Sequence, residues 1–169
     1  RVISAPDVES IYDVPLNYEK DGMGDILCDV LGLPQRPTDL GDWEAFVKKV
    51  KNGTKKLDIA VLGKYFMSGE YVLSDVYISV IESIKHAAAA LDIKVKLSFL
   101  DSEPFERDAG KLQELKNYDG VLVPGGFGGR GVEGIISAIQ FAREQKIPYL
   151  GLCYGLQLAV VEFARNVCG

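Results

Sequence analysis

Apolar runs and amphipathic stretches alternate along the chain from residue 57 onward. Short apolar runs rich in β-branched residues predict four strands, at residues 57–62, 94–100, 120–123 and 148–152. Apolar residues at helical spacing predict four helices, at residues 74–91, 109–115, 135–142 and 156–167. Strands separated by helices imply right-handed crossovers. The predicted fold class is therefore α/β, with an open, mostly parallel sheet and helices on both faces.

The last of these predicted helices has an unusual distribution of side chains. It is apolar around most of its circumference, and Glu162, Arg165 and Asn166 group on the remaining arc. A helix that is apolar on nearly all sides is typically buried. We therefore expect this helix to lie largely in the core.

The first part of the chain has a different pattern. Prolines and glycines break it into short pieces, with a helix predicted around Trp43 to Val50 behind a cap at Thr38 and Asp39. Residues 48–56 form a basic stretch interrupted by Gly53, which has the composition of a solvated linker.

Composition narrows the possible functions. The chain has 169 residues, 47% of them hydrophobic, enough for one globular domain with its own core. Its net charge of -5 has the wrong sign for binding nucleic acid. No apolar run approaches the roughly 20 residues that span a bilayer, and the N-terminus lacks the pattern of a secretory signal. Three cysteines without close pairing favour free thiols, so we expect a cytoplasmic protein, and no metal site is predicted.

The strongest chemical signal is the pattern G-x-C-x-G at residues 151–155, between a predicted strand and a predicted helix. This is the pattern of a nucleophile elbow, a sharp turn that exposes the central side chain. Glycines are needed on both sides because a Cβ there would collide with the neighbouring strand and helix. The thiol of Cys153 would then lie at a helix N-terminus, which favours the thiolate. The alternative is a buried structural cysteine. We interpret Cys28 and Cys168 as buried or semi-exposed thiols without a chemical role.

A second signal is the glycine-rich segment at residues 124–131, hereafter the glycine loop. Consecutive backbone N–H groups in such a loop can bind a phosphate or a developing oxyanion. It lacks the Lys and Ser/Thr of a Walker loop. Alone it could equally be a flexible connector, but strand-end loops of one sheet converge on one crevice.

A cysteine nucleophile needs a base, usually histidine. The sequence has one histidine, His86, opposite the apolar stripe of its predicted helix, so we expect it to face solvent rather than the crevice. Lys64 and Arg130 follow strand ends and could contact a nucleotide or another domain, although solvated basic residues are commoner.

Longer stretches resemble a known family, the CTP synthases, which carry a class I glutamine amidotransferase domain. The resemblance is carried by PGGFGGRGVEG at residues 124–134, by FARE at 141–144 and by PYLGLCYGLQLAVVEFARNV at 148–167. Residues 2–4 and 7–16 resemble the tail of that family's synthetase domain, and Gly63-Lys64-Tyr65 resembles the opening of the amidotransferase domain.

The resemblance implies roles for individual residues. Cys153 would attack the glutamine carboxamide to give a γ-glutamyl thioester, and the N–H groups of Gly126 and Tyr154 would stabilise the oxyanion. The glutamine-binding positions of the family correspond to Gly126, Tyr154, Gly155, Leu156 and Gln157. Asp7 and Val8 correspond to a segment near the synthetase nucleotide site.

The resemblance also implies a division of the chain and a set of ligands. Residues 1–37 would be the tail of the synthetase domain, 38–56 a linker helix and basic linker, and 57–169 the N-terminal part of the amidotransferase domain. The whole enzyme would aminate UTP to CTP with ATP, Mg and ammonia from L-glutamine, with GTP as activator acting near the glycine loop, as a homo-oligomer. No cofactor is implied for this portion.

The sequence departs from the family pattern in two ways. The family's catalytic His and Glu lie beyond the position of Gly169, so we expect the sheet to be incomplete in its C-terminal half. We also expect these residues alone to be inactive. Tyr154 stands where the family has leucine, and its larger ring could reshape the glutamine pocket.

Two alternatives stay open at this stage. One is a non-catalytic fragment or shell that serves interaction. The other is the cysteine peptidase and deglycase class, which uses a similar elbow but typically has His after the cysteine, where this chain has Tyr154.

Overall fold

A computed structural model describes residues 2–64, 67–68, 71–72 and 77–169 of the chain. Its N-terminal part consists of helices, and the helix expected near Trp43 is confirmed. The elements are a 3-10 turn at Ile11–Asp13, α1 at Val14–Lys20, α2 at Met23–Leu31 and α3 at Gly41–Asn52.

The remainder alternates strands and helices, and the four predicted strands are confirmed. The strands are β1 Lys55–Gly63, β2 Met67–Ser68, β3 Tyr71–Val72, β4 Ile93–Asp101, β5 Gly120–Val123 and β6 Tyr149–Gly151. The helices are α4 Ile78–Ala90, α5 Glu103–Arg107, a 3-10 helix Ala109–Asn117, α6 Val132–Gln145, α7 Tyr154–Phe163 and a π-helical turn Ala164–Cys168. The predicted start of α4 at residues 74–76 lies outside the described residues.

The main sheet is parallel, with the strand order β4-β1-β5-β6. The chain runs from β1 outward to β4 and then returns to the other side of β1 to form β5. This reversal is a topological switch point, where parallel sheets open a crevice at the carboxyl ends of their strands. Lys64, directly after β1, and the loop after β5 flank that crevice, and the loop after β6 adjoins it.

Helices cover both faces of the sheet, as predicted. Alternate residues of β1 point to opposite faces, so Ala60 and Leu62 pack with α6 and α7 while Val61 packs towards α4. The larger core lies on the α6 and α7 face. The fold class is therefore confirmed as α/β with an open parallel sheet.

The basic stretch at residues 48–56 is not the solvated linker that its composition suggested. Its first residues form the last turn of α3, and its last residues begin β1. Thr54 is held by its N–H, which donates to the carbonyl of Asp92 at 3.0 Å. Pairing with β4 fixes the backbone of Lys55 and Lys56, while both side chains stay exposed to solvent.

The expected burial of α7 is wrong. Three apolar residues one and two turns apart are exposed, Leu156 at 58%, Val160 at 62% and Phe163 at 50%, whereas Glu162 is only 1% exposed. Glu162 lies inside because Arg143 of α6 pairs with its carboxylate, with Nη2 and Oε1 2.8 Å apart. A charged partner on the neighbouring helix therefore decided which face of α7 is buried.

No helix in the part of the chain that the structure describes is long and apolar enough to cross a membrane.

Candidate active site

The turn between β6 and α7 has the geometry of a nucleophile elbow. Cys153 has φ 50° and ψ -100°, a backbone conformation that residues with a side chain rarely adopt. A Cβ on Gly151 would lie 2.5 Å from the carbonyl carbon of Gly155, and one on Gly155 would lie 2.3 Å from the carbonyl oxygen of Val123. Both flanking glycines are therefore required by close backbone approach, as the sequence pattern predicted.

Backbone and side-chain hydrogen bonds hold this turn. Leu152 N–H donates to the carbonyl of Val123 at 2.9 Å, which joins the end of β6 to the end of β5. The Tyr149 hydroxyl donates to the carbonyl of Gly155 at 2.8 Å, and burial raises the pKa of Tyr149 above its usual range. The phenol therefore remains a hydrogen-bond donor at neutral pH.

The thiol of Cys153 is accessible at the start of α7. Cys153 is exposed, and Tyr154 is the first residue of the helix. The N–H group of a helix's first residue has no acceptor within the helix. A donor therefore lies next to the thiol in the sequence, at the positive end of the helix dipole.

The glycine loop lies beside Cys153. A Cβ built on Gly125 would be 3.8 Å from the Cβ of Cys153. Gly126 follows directly and is half-buried. The fold thus brings together two of the signals that the sequence singled out separately, the elbow and the glycine loop.

Side chains hold the glycine loop at its beginning and at its middle. The Tyr77 hydroxyl donates to the carbonyl of Gly125 at 2.8 Å. The Lys64 ammonium donates to the carbonyl of Phe127 at 3.1 Å and also to that of Gly128. The Tyr154 hydroxyl donates to the carbonyl of Gly128 at 2.9 Å. Elements from both sides of the crevice therefore fix the loop.

Arg130 holds the far end of the loop. Its Nε atom lies 2.6 Å from Oε1 of Glu103, and its Nη2 donates to the carbonyl of Lys64 at 3.3 Å. Its side chain is 68% exposed, so it is both solvated and paired.

The solvated interpretation of Lys64 is wrong, because this residue is only 5% exposed. Burial lowers the pKa of Lys64, a change that the Glu106 charge opposes and the Arg130 charge reinforces. Its ammonium also lies 4.6 Å from the centroid of the Tyr154 ring. Lys64 is therefore part of the scaffold of the site.

His86 is not part of this site. Its Nε2 lies 2.8 Å from the Tyr12 hydroxyl, and its ring packs on Tyr12 and Phe46. Tyr77, which contacts the glycine loop, precedes α4, and His86 lies about 13 Å farther along the helix axis at 1.5 Å per residue. The prediction that His86 points away from the crevice is therefore confirmed, although it contacts a tyrosine rather than solvent alone.

The remaining residues of the implied glutamine site lie on the first turn of α7. Gly155 is buried against β5, while Leu156 and Gln157 are exposed. The Gln157 N–H donates to the carbonyl of Cys153 at 3.1 Å, which is the first turn of the helix.

Asp7 and Val8 lie on a different part of the molecule. Asp7 is exposed, and Val8 lines a groove of about 320 Å³ between the N-terminal segment, α3 and α4. Their implied role at a nucleotide site stays a prediction. Across the described ranges, no group of three His, Cys, Asp or Glu residues could hold a metal ion.

Sequence reasoning missed three residues that build the site: Lys64 as a loop anchor, Tyr77 and Tyr149. Each of them donates hydrogen bonds from its side chain to backbone carbonyls that are distant in the sequence or across a turn. Lys64 directly follows β1, and Tyr77 directly precedes α4. Their positions at the crevice end of the sheet were the signal that could have identified them.

Comparisons with known proteins agree with this geometry. The profile of the glutamine amidotransferase class-I family matches residues 72–169. The CTP synthase of Thermococcus gammatolerans is 50% identical over 99% of this chain, and that of Methanocaldococcus jannaschii is 48% identical over 99%. The chain spans 30% and 31% of the lengths of these two relatives.

A solved structure also resembles the fold. The glutaminase domain of Trypanosoma brucei CTPS with bound acivicin superposes with a TM-score of 0.60 and 40% sequence identity. The match covers 67% of this chain and 42% of that one. Together with the elbow and the parallel sheet, the profile match over more than half of the residues shows that this chain belongs to the class I glutamine amidotransferase family.

Proposed function

We propose that the chain carries the nucleophile and oxyanion loop of a glutamine-hydrolysing site. The observation that carries this proposal is Cys153 in the strained elbow, with the glycine loop packed beside it. The Trypanosoma brucei neighbour is a glutaminase domain with bound acivicin, which supports glutamine as the substrate.

In this mechanism the thiolate of Cys153 attacks the carboxamide carbon of glutamine. A C–S bond forms while the carbonyl π electrons move to oxygen, and the N–H groups of Gly126 and Tyr154 donate to that oxyanion. On collapse the nitrogen takes a proton from a general acid or from water and leaves as ammonia. The γ-glutamyl thioester that remains is hydrolysed by water to glutamate and free thiol. Gly155, Leu156 and Gln157 would line the pocket for the amino acid.

A diazoketone mimic of glutamine tests this site on the 169-residue chain. The thiol adds to the diazo carbon, which gains a proton, and dinitrogen leaves. We expect one adduct on Cys153 by intact mass and peptide mapping, slowed by excess L-glutamine but not by L-asparagine. Cys28 and Cys168 are free and serve as internal controls for unspecific alkylation.

The outcomes separate the proposal from its alternatives. Cys153→Ser must abolish the adduct without shifting the unfolding temperature. A wild-type chain without adduct, or with modification that glutamine does not slow, would overturn the glutaminase proposal and favour a non-catalytic shell or the peptidase and deglycase class.

We infer further that the full-length parent is a CTP synthase that passes ammonia to UTP activated by ATP. The supporting observation is the 50% identity to a CTP synthase across 99% of this chain. The free thiols fit a reducing cytosol. On the same sequence similarity, we propose that the full-length parent is activated by GTP and forms a homo-oligomer.

Within the described residues, no group of acidic side chains could hold the Mg ion. Asp7 is one exposed carboxylate, and the described part of the chain has no clustered set of acidic ligands around it. We propose that Asp7 and Val8 contribute to the nucleotide site of the full-length parent.

The whole-enzyme proposal is tested in the full-length parent. We expect Cys153→Ala to abolish CTP formation from glutamine and to leave CTP formation from added ammonia intact. Loss of both activities in a folded variant, or retention of both, would contradict it.

A further inference from the structure

The side chain of Tyr154, next to Cys153 in the elbow, contacts the glycine loop, and the buried side chain of Lys64 contacts the same loop. We propose that Tyr154 and Lys64 are positioning residues that hold the glycine loop against the elbow, so that its N–H groups stay beside Cys153 during attack on glutamine. This inference rests on the proposed function and adds to it two residues that act through the loop.

The contacts converge on one carbonyl. Gly128 C=O accepts from the Tyr154 hydroxyl at 2.9 Å and also from the Lys64 ammonium. Lys64 reaches the neighbouring Phe127 carbonyl at 3.1 Å and lies over the Tyr154 ring at 4.6 Å from its centroid. The carboxyl end of β1, the glycine loop and the first residue of α7 are therefore joined through three groups.

The loop needs such a tether. Phe127 is 81% exposed, so its side chain contributes little packing, and Gly128 has φ 73°. Glycine loses more conformational entropy on ordering than other residues. Hydrogen bonds to the loop's own carbonyls therefore restrict it where side-chain packing does not.

Burying the Lys64 ammonium costs free energy of hydration, which its contacts must offset. A buried charge requires hydrogen-bonding partners to offset its lost hydration. Loop carbonyls and an aromatic ring supply them here, and these carbonyls belong to the same loop as Gly126, whose N–H group the mechanism uses. A neutral apolar side chain would fill the space without orienting the carbonyls.

Tyr154 also connects the two proposed oxyanion donors. Its backbone N–H is one donor, and its side chain restrains the loop that carries Gly126, the other donor. A residue with an apolar side chain at this position would keep the first contribution and lose the second. The Tyr154 hydroxyl is therefore separable from the backbone role by mutation.

The experiment compares Tyr154→Phe and Lys64→Met with matched controls on the 169-residue chain. Tyr118→Phe removes a hydroxyl at the opposite end of β5, and Lys56→Met removes an exposed charge near the start of β1. Three quantities are measured: the rate of Cys153 modification by the diazoketone, its rate with iodoacetamide, and hydrogen exchange of the peptide spanning residues 124–131.

We expect Tyr154→Phe to slow the diazoketone reaction roughly fivefold, the effect of one lost hydrogen bond, and Lys64→Met, which removes two, to slow it at least as much. The iodoacetamide rate should stay within about twofold, since that reagent needs only the accessible thiol, whereas the diazoketone must first bind as a glutamine mimic beside Gly126 of the glycine loop. Loop exchange should accelerate in both test variants and in neither control. A merely structural role would change both reagents equally.

Unchanged loop exchange in Tyr154→Phe, or an equal fall with both reagents, overturns the inference. If Lys64→Met does not fold, Tyr154→Phe alone decides, because it changes only one hydroxyl. If the wild-type chain is not modified by the diazoketone, the proposed function fails and the role in glutamine attack fails with it. In that case, hydrogen exchange of residues 124–131 would still test whether Tyr154 and Lys64 restrain the glycine loop.

Discussion

Cys153 adopts φ 50°, a backbone conformation that costs a residue with a side chain about 1–3 kcal/mol. The surrounding structure enforces it. Gly151 and Gly155 allow backbone atoms to approach where any Cβ would overlap, and Tyr149 secures the Gly155 carbonyl. At the residue scale, the reactive position therefore depends on the absence of two side chains as much as on the thiol itself.

Gly155→Ala tests this dependence. The new Cβ would lie 2.3 Å from the Val123 carbonyl oxygen, so α7 must move away from β5. Overpacking of this kind costs about 1–3 kcal/mol, and the displaced helix start carries Cys153 with it. We expect a lower unfolding temperature and a loss of at least about tenfold in the diazoketone rate.

The matched control is Gly24→Ala in α2, where the nearest atom to the new Cβ is 3.9 Å away. It should fold as the wild type and react at the same rate. Wild-type reactivity in Gly155→Ala would show that the elbow tolerates a side chain and would contradict the close-approach argument.

At the scale of elements, α6 and α7 are joined by a charged pair within a largely apolar contact. Arg143 donates to both carboxylate oxygens of Glu162 through Nε, at 3.1 and 3.3 Å, and to Oε1 through Nη2 at 2.8 Å. Asn166 adds a third donor. The hydrogen bonds from Arg143 lower the pKa of Glu162 against the opposing effect of burial, and Asn166 contributes in the same direction. Folding therefore favours the ionised carboxylate.

This pair predicts an acid-sensitive contribution to stability. Because the folded-state pKa of Glu162 lies below its ordinary value of 4.5, its contribution is complete above that pH and is lost as pH falls through the folded-state pKa. We expect Glu162→Gln to lower the unfolding temperature at pH 7 by roughly 3–6 °C. The difference from wild type should shrink in thermal melts taken below about pH 4.5.

Glu144→Gln is the control, since Glu144 is 49% exposed and lies 3.8 Å from Arg143. It should melt within about 1 °C of the wild type, because exposed pairs contribute little. A pH-independent deficit in Glu162→Gln would indicate that shape, rather than charge, dominates at this contact.

Much of the sheet could be predicted from the sequence, because buried parallel strands such as β1 and β5 are continuous apolar runs. The elbow was predictable for a similar reason, since G-x-C-x-G states a local backbone requirement. The orientation of α7 was not, because its apolar residues fit either face and the choice depended on Arg143 in another helix. Lys64 was missed because its partners are backbone carbonyls, which carry no sequence signal.

At the scale of the whole molecule, the N-terminal segment is attached to α4 by a cluster around Tyr12. The Tyr12 hydroxyl donates to Glu82 and contacts His86, and Trp43 Nε1 donates to the Tyr12 carbonyl at 2.9 Å. Burial, followed by the contact with Glu82, raises the pKa of Tyr12 to about 12. Burial alone would raise the pKa of Glu82, but hydrogen bonds from Lys85 and Tyr12 lower it.

Tyr12→Phe should loosen this attachment without affecting the elbow. It removes one donor from the Glu82 carboxylate, at a cost of about 1 kcal/mol. Trp43 is the single tryptophan of the sequence and packs on Tyr12, so its emission should move to longer wavelength as the cluster opens. The control is Tyr18→Phe in α1, which should leave the emission unchanged. Unchanged emission in Tyr12→Phe would mean that ring packing alone holds the segment.

We propose that the position of the histidine in this cluster limits what the 169-residue chain can do with glutamine. Its single histidine is held by Tyr12 on α4, far from Cys153, whereas each turnover requires a base to take the thiol proton and an acid to protonate the departing amine. The diazoketone differs, because the proton that its diazo carbon gains comes from the thiol itself and dinitrogen leaves unprotonated. We therefore expect one covalent adduct per chain but ammonia release no faster than that of Cys153→Ser, measured over several hours with saturating glutamine.

His86→Ala separates this explanation from a hidden role of the histidine. If His86 serves only the N-terminal cluster, the variant should react with the diazoketone at the wild-type rate while its Trp43 emission changes, because the imidazole packs on Phe46 and Tyr12. A slower reaction of Cys153 would place His86 in the chemistry. Ammonia release clearly above the Cys153→Ser background would show instead that another group of this chain supplies the proton transfers, since neither step proceeds at a useful rate without one.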